Sequence, residues 1–164
     1  MAFLSRTCAR NFILTTIHRA EKADDPLRLA GIMRGMENAG LPVILPLYPQ
    51  TRGKLREYRI TPSANLYIVD PVGYLEMVWL EANCSLVTTD SGGVQKEAYF
   101  FAKLCATLRD ETEWVELVES GWNILADANE ETISGAIDTA WAPTIWTPIY
   151  GQGAASLRIV EAFV

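Results

Sequence analysis

A turn of small and polar residues, 90–93 with the sequence Asp-Ser-Gly-Gly, follows a short apolar run. A helix is predicted to begin directly after it, near Val94, so free backbone amides and a hydroxyl would face the space before the helix. Such groups bind anions, which makes phosphate the first ligand to consider. The alternative is an ordinary strand-to-helix turn, in which Asp90 or Ser91 caps the helix and the glycines supply unusual torsion angles.

Chemically capable side chains also follow other apolar runs, each where a strand is predicted to end. They are His18, Arg19 and Glu21 after the first run, Tyr48, Thr51 and Arg52 after the second, Asp70 after the third, and residues 109–113 after the fifth. In a parallel sheet the carboxyl ends of the strands open on one edge, so these groups are expected to converge there. The convergence favours a nucleotide or another phosphorylated ligand.

Several of these residues allow two interpretations. His18 is either a loop histidine without a task or a partner of phosphate. Arg52 and Arg109 are either phosphate ligands or members of salt bridges. Glu97, about one turn into the predicted helix, either favours the positive helix end or reaches a ribose hydroxyl pair.

Other classes of protein fit the sequence less well. It contains neither the Gly-x-Gly-x-x-Gly motif of dinucleotide-binding oxidoreductases nor the Walker motif of P-loop NTPases. Ser91 lacks the flanking glycines and the later histidine of a serine hydrolase. The net charge of -6 argues against a protein that binds nucleic acid through general electrostatics. Cys8, Cys84 and Cys105 show no metal-binding spacing, so no metal or cofactor is expected, and no apolar run reaches the length of a membrane span. A reducing, cytoplasmic location is predicted.

Short apolar runs alternate with segments of helical periodicity along the whole sequence. Strands are predicted at 11–17, 41–47, 65–69, 85–89, 104–108 and 122–126, and helices at 25–39, 49–58, 73–82, from 94, after 114, at 130–141 and at 151–163. This alternation predicts an α/β fold, a Rossmann-like parallel sheet of about six strands with helices on both faces. Residues 1–164 are expected to form one domain.

Details of three helices are also predicted. Asp25-Pro26 and Asp70-Pro71 resemble helix starts, and Gly40 is expected to end the first helix. Residues expected to face the core from the third and last helices are Leu75, Val78, Trp79, Leu157, Val160 and Phe163.

Five longer motifs and two short ones, in the right order, resemble the non-hydrolysing UDP-N-acetylglucosamine 2-epimerase family, whose fold is the two-domain arrangement of GT-B glycosyltransferases. The motifs occupy residues 16–21, 46–52, 70–75, 89–98, 108–114, 121–123 and 150–153. The resemblance implies that this chain is the carboxy-terminal, UDP-binding half of such an epimerase and that the amino-terminal domain is not part of the sequence. The residues around Glu97 and Trp114 are similar to members that act on diacetamido-sugar uronates.

The resemblance also implies roles for individual residues. It places His18 and Arg19 near the diphosphate, Ser91, Gly92 and Gly93 on phosphate, Glu97 on the ribose, and Asp70 to Tyr74 near the uracil. In the family reaction, a base removes the sugar C2 proton, UDP is eliminated across C1 and C2, and re-addition on the other face interconverts UDP-GlcNAc and UDP-ManNAc. The carboxylates assigned to proton transfer belong to the other half, which leaves His18 as the one candidate catalytic residue here.

Two departures from the family limit what the chain is expected to do alone. The family often has His-Pro after the second strand, whereas this sequence has Tyr48-Pro49, and tyrosine cannot carry the charge of an imidazolium. Without a second domain the chain is expected to bind UDP or a UDP-sugar but not to epimerise it. A separate amino-terminal domain or a homo-oligomer could complete the cleft. A non-catalytic nucleotide-sugar-binding remnant and the donor-binding module of a glycosyltransferase are the alternative functions.

Overall fold

One parallel sheet organises the chain. The computed structural model describes residues 11–18, 24–37, 39–139 and 143–163. Its strands are β1 (Ile13–Thr16), β2 (Val43–Pro46), β3 (Leu66–Val69), β4 (Leu86–Thr89), β5 (Leu104–Thr107) and β6 (Asn123–Leu125). Their order across the sheet is β3-β2-β1-β4-β5-β6, and every neighbouring pair is parallel. The predicted α/β class and the number of strands are confirmed for these residues.

Helices cover both faces of this sheet. They are α1 (Pro26–Gly35), α2 (Pro49–Glu57), α3 (Tyr74–Asn83), α4 (Gly92–Phe100), α5 (Val115–Glu119), α6 (Glu130–Asp138) and α7 (Ala155–Ala162). Ile13 and Leu14 are neighbours on β1 and belong to different apolar clusters, since successive side chains of a strand point to opposite faces. The Ile13 cluster includes residues of α1, α2 and α6, and the Leu14 cluster includes residues of α3 and α4.

The first helix shows how local sequence and packing act together. Asp25 is the N-cap of α1 and accepts hydrogen bonds from the amides of Leu27 and Arg28, as its position before proline predicts. The helix ends at Gly35, however, and Gly40 lies in the following loop with φ of 63°. The prediction that Gly40 ends the helix is therefore wrong. Gly35 lies against α6, where an added Cβ would come within 2.6 Å of the Ile133 Cβ.

Two further predictions, both about α3, are wrong. Its N-cap is Gly73, whose amide donates to the Glu76 carboxylate at 2.9 Å, so Asp70-Pro71 precedes the helix without capping it. Leu75 and Trp79 are 80% and 46% exposed, whereas Leu80 faces the core. The apolar residues of α3 occur on more than one side of the helix, so their spacing alone did not identify the buried side.

The last helix is shorter than predicted and its apolar side is open. It spans Ala155–Ala162, and Leu157, Val160 and Phe163 are exposed in this chain. The predicted core contacts of these three residues are wrong for the described chain. The predicted helix at 130–141 ends at Asp138, and Trp141 lies outside the described residues.

The strand ends are aligned across the sheet. Thr16 pairs with Thr89, Thr89 with Thr107, and Pro46 with Val69. The loops that follow these strands therefore leave the sheet at one edge, where the chemically capable residues were expected to meet.

Candidate functional site

The centre of the carboxyl edge is the junction between β1 and β4. The strand order changes direction there, because β2 follows β1 on one side and β5 follows β4 on the other. In open parallel sheets such a junction leaves a crevice outside the strand ends, and ligands bind in it. The Thr16 and Thr89 hydroxyls lie 2.6 Å apart at this point and join the two strands.

His18 and Asp90 join the two loops that leave the sheet at this junction. The backbone amide of His18 donates to the Asp90 carboxylate, at 2.8 Å to Oδ1 and 3.1 Å to Oδ2. Asp90 is fully buried, while the His18 side chain is about one-third exposed, with Nδ1 3.8 Å from Asp90 Oδ1. Asp90 thus holds the loop after β1 in place, and the imidazole remains accessible to a ligand.

The turn after β4 presents backbone amides to the same crevice. Ser91 is the N-cap of α4, but its side chain makes no capping hydrogen bond, and its own amide donates to Thr89 Oγ1 at 3.0 Å. The first intrahelical bond runs from the amide of Gln95 to the carbonyl of Ser91. The amides of the first turn, at Gly92, Gly93 and Val94, have no intrahelical acceptor because of helix geometry. An anion before α4 would therefore meet several N–H donors, the Ser91 hydroxyl and the positive end of the helix dipole.

Trp114, in the loop before α5, contacts this turn. Sequence reasoning predicted no role for it in the site. Its Nε1 donates to the Gly92 carbonyl at 2.8 Å. The Lys96 Nζ lies 3.4 Å from the Trp114 ring centroid and 4.5 Å from that of Tyr150, so the cation contacts both aromatic faces. A Cβ added at Gly92 would lie 3.3 Å from Trp114 Nε1, so a larger residue there would press on the indole ring.

A buried polar network underlies α4, and sequence reasoning missed this as well. The fully buried Gln95 accepts from Thr112 Oγ1 at 2.6 Å and from Asn123 Nδ2 at 3.0 Å through its Oε1 atom. Thr107 Oγ1 donates to Asn123 Oδ1 at 2.7 Å. The network ties the first turn of α4 to β5 and β6. Because buried polar groups need partners, it fixes the position of the helix end more strictly than apolar packing would.

Both arginines singled out from the sequence form ion pairs. Arg109 is 8% exposed, and its Nη1 lies 2.6 Å from Glu113 Oε2. Arg52 donates to the Val69 carbonyl at 3.1 Å and lies 3.2 Å from Asp70 Oδ1. The salt-bridge interpretation is thus confirmed for both. The Arg52 pair also joins the loops after β2 and β3 at the carboxyl edge.

The remaining predicted residues lie around this centre. Tyr48 is half-exposed, and its ring meets the His18 ring edge-on, with the centroids 6.0 Å apart. Tyr74 opens α3 and is 71% exposed. Glu97 lies half-buried on α4. Arg19, like Glu21 and Cys8, lies outside the described residues.

Other titratable groups near α4 are buried. Glu81 is fully buried, and desolvation together with the neighbouring Glu97 carboxylate raises its pKa to about 8. Burial raises the pKa of the Cys84 and Cys105 thiols to about 12, so neither is an activated nucleophile. Both are core residues, as predicted. Across the described ranges, no group of three or more His, Cys, Asp or Glu could hold a metal ion, and no helix is long and apolar enough to cross a membrane.

Comparison with known proteins identifies the family. The family model described as UDP-N-acetylglucosamine 2-epimerase matches residues 2–164. This chain belongs to that family. A UDP-2,3-diacetamido-2,3-dideoxy-D-glucuronate 2-epimerase of Pseudomonas aeruginosa is 49% identical over 155 residues, which are 92% of this chain and 43% of that protein. A UDP-N-acetylglucosamine 2-epimerase of Methanocaldococcus jannaschii is 38% identical over 92% of this chain and 44% of its own length.

Solved structures of UDP-N-acetylglucosamine 2-epimerases share the fold. The Methanocaldococcus jannaschii enzyme superposes with a TM-score of 0.86 at 37% identity, covering 99% of this chain and 48% of that one. A second structure of that enzyme, in complex with UDP-GlcNAc and UDP, gives a TM-score of 0.83 and covers 47% of its chain. The chain therefore spans about half the length of the epimerases it matches.

Proposed function

We propose that this chain is the UDP-binding half of a UDP-sugar 2-epimerase and that residues 1–164 form one domain. The observation that carries the proposal is the hydrogen bond from the His18 amide to Asp90 at the β1–β4 junction, which joins the loop that carries His18 to the turn that opens α4. The relative solved with UDP-GlcNAc and UDP has the same fold, which supports a UDP-containing ligand. Buried free thiols at Cys84 and Cys105 fit the cytoplasmic location predicted from the sequence.

The proposed roles follow the chemistry of the edge. The amides of Gly92 and Gly93, the Ser91 hydroxyl and His18 bind the diphosphate, with Arg19 as a further candidate. Glu97 accepts hydrogen bonds from the ribose diol, because a carboxylate has two oxygens that can meet two hydroxyls. Asp70 and Tyr74 contact the uracil. Arg52 and Arg109 are further UDP-binding candidates, each held at the edge by an ion pair.

These groups suit the leaving-group side of an elimination. When UDP departs from C1, negative charge develops on its terminal phosphate, and donors already in place stabilise that charge without reorganisation. His18 can donate a hydrogen bond or a proton to that phosphate. Removal of the C2 proton needs a positioned base and exclusion of water. The amino-terminal half of a full-length epimerase would supply both. We therefore propose that the chain alone does not epimerise, and that an amino-terminal domain or another protomer is its partner.

The substrate proposed for the completed enzyme is a UDP-2,3-diacetamido-2,3-dideoxy-uronate. The relative that is 49% identical to this chain carries that specificity in its name, whereas the 38% identical relative is named for UDP-N-acetylglucosamine. UDP-N-acetylglucosamine is the second candidate substrate. A coupled epimerase assay with each UDP-sugar, run after the amino-terminal half is supplied, distinguishes the two candidate substrates.

Calorimetric titration of the chain with UDP, UMP and ADP tests the binding site. UDP is expected to bind more tightly than UMP, because UMP lacks the second phosphate, and more tightly than ADP, because ADP lacks uracil. Ser91→Ala should weaken UDP binding about ten- to a hundredfold, the size of one hydrogen bond to a charged group. Glu119→Gln, an exposed change at the end of α5, serves as the control. Absence of UDP binding at millimolar concentration would overturn the site, and equal binding of ADP would overturn only the uracil contacts.

A further inference from the structure

The loop between β1 and α1 meets a carboxylate at each of its ends. At the β1 end, the His18 amide donates to Asp90. At the other end the chain enters the first turn of α1, where Arg28 Nη2 donates to Asp127 Oδ1 at 2.5 Å. Asp127 follows β6, and two strands, β4 and β5, lie between β6 and β1. The ion pair therefore connects the start of α1 with the far side of the sheet.

Asp127 has a backbone conformation that glycine adopts far more readily than other residues. Its φ is 48°, in the left-handed region. Its amide donates to the Arg109 carbonyl at 3.2 Å, which keeps the residue at the carboxyl edge of the sheet. Glycine would take this φ without strain, but it has no side chain to offer Arg28. The ion pair is thus a contribution that aspartate makes at this position and glycine cannot.

Close packing gives α1 little room to move relative to Asp127. A Cβ added at Gly31 would clash with the carbonyl oxygen of Ala128, the residue after Asp127. Before the helix, the Tyr58 hydroxyl donates to the Asp24 carbonyl at 2.9 Å, which ties the start of α1 to the end of α2 as well. Because closely packed elements transmit small shifts, the segment after β6 helps to determine where the loop from β1 ends.

We propose that Asp127 is a positioning residue for diphosphate recognition: through Arg28 it fixes the far end of the loop that begins at His18 and carries Arg19. The inference rests on the proposed function, in which these two residues bind the diphosphate. Holding both ends of a loop before the ligand arrives reduces the conformational entropy that binding must remove. Asp127 acts through Arg28 and makes no contact with the ligand.

Asp127→Gly separates positioning from folding. The change removes the carboxylate and also relaxes the left-handed backbone, so the midpoint of thermal unfolding should stay close to that of the wild type. UDP should bind about two- to fivefold more weakly in calorimetry, the range that one partly exposed ion pair supplies. Uridine, which lacks the phosphates, should bind with wild-type affinity in an NMR titration. Arg28→Gln should give the same loss for UDP and none for uridine.

Arg34→Gln is the matched control. Arg34 lies in the last turn of α1, away from the loop, and its Nε lies 2.7 Å from Glu130 Oε2, so the variant also loses one partly exposed ion pair of this helix. Its affinities for UDP and uridine should both equal those of the wild type. The same loss of UDP affinity in Arg34→Gln as in Arg28→Gln, or equal losses of UDP and uridine in Asp127→Gly, would overturn the proposal.

A measurement without ligand distinguishes this proposal from the proposed function. His18 is the only histidine in the sequence, so its ring signals in NMR spectra report on the loop alone. They should shift in Asp127→Gly and Arg28→Gln and stay in place in Arg34→Gln. If the wild type does not bind UDP but this pattern is present, the proposed function fails while the positioning of the loop stands. If UDP binds and the His18 signals are the same in all variants, the positioning role is wrong.

Discussion

The His18 backbone amide donates to both carboxylate oxygens of the fully buried Asp90, at 2.8 and 3.1 Å, and so joins the loops after β1 and β4. Because Asp90 is buried, its role is to fix the position of His18 and not to contact a ligand. The two residues define the inner end of the crevice in which the diphosphate is proposed to bind.

Asp90→Asn is expected to loosen this connection. Asparagine has one oxygen acceptor and places an amide donor where the second oxygen was, so part of the bond to the His18 amide is lost. The free energy of unfolding should fall by about 1–3 kcal/mol, and UDP affinity should fall with it. Urea unfolding and calorimetry measure the two effects. The exposed change Glu119→Gln should alter neither, and an unchanged Asp90→Asn variant would contradict the role of the contact.

Trp114→Phe is expected to weaken UDP binding several-fold and to cost about 1 kcal/mol of stability. The change removes the donor to the Gly92 carbonyl and weakens the contact of Lys96 with the ring. Trp146→Phe is the matched control, because Trp146 Nε1 donates to the Tyr99 carbonyl at 2.9 Å, near the other end of α4. Its stability loss should be similar and its UDP affinity unchanged. Equal affinities in the two variants would show that Trp114 does not support the turn.

Two adjacent glycines should respond differently to alanine. A Cβ at Gly92 would lie 3.3 Å from Trp114 Nε1, so Gly92→Ala should lower stability by about 1 kcal/mol. At Gly93 the nearest atom would be Ser91 Oγ at 3.8 Å, so Gly93→Ala should fold with stability within about 0.5 kcal/mol of the wild type. Its new methyl group should nevertheless weaken UDP binding. Thermal unfolding and UDP titration of both variants test this contrast, and tight UDP binding by Gly93→Ala would exclude close approach of phosphate to that amide.

Glu81 should make stability depend on pH. Its pKa is raised from 4.5 to about 8 by burial and by Glu97, so the folded state holds a proton that the unfolded state has lost between these values. The contribution to stability is complete below about pH 4.5 and declines as pH rises to about 8, by at most about 1.4 kcal/mol per pH unit. Urea unfolding at several pH values should show a shallower decline in Glu81→Gln. Glu119→Gln, an exposed change, should follow the wild type, and a Glu81→Gln curve parallel to both would refute the shift.

The fold was predictable because each strand is a short apolar run followed at once by a polar loop. The run before Asp90 and the cap at Asp25 are local signals, and local signals place elements to within a few residues. The convergence of His18, Ser91 and Arg52 at one edge followed from the rule for parallel sheets. The burial of α3 did not follow, because Leu75 and Leu80 are equally apolar and only packing distinguishes them.

Much of the support of the site was beyond sequence reasoning. The bond from Trp114 to Gly92 joins residues 22 positions apart, and that from Asn123 to Gln95 joins residues 28 positions apart. No spacing rule connects such pairs. Glu81 was equally hidden, since a glutamate in a helix is ordinarily a solvated residue, and only the packing of α3 against α4 shows that it is buried.

The long chain separation between His18 and Asp90, 72 positions, has a consequence for folding. A contact between distant segments requires closure of a large loop, and the entropic cost of closure comes before the favourable energy of the contact. Such contacts therefore form more slowly than a helix does. A segment that kept α4 and its turn but lacked β1 would retain the helix and lose the crevice. Recovery of ligand binding during refolding therefore reports the pairing of β1 with β4, while recovery of helical signal does not.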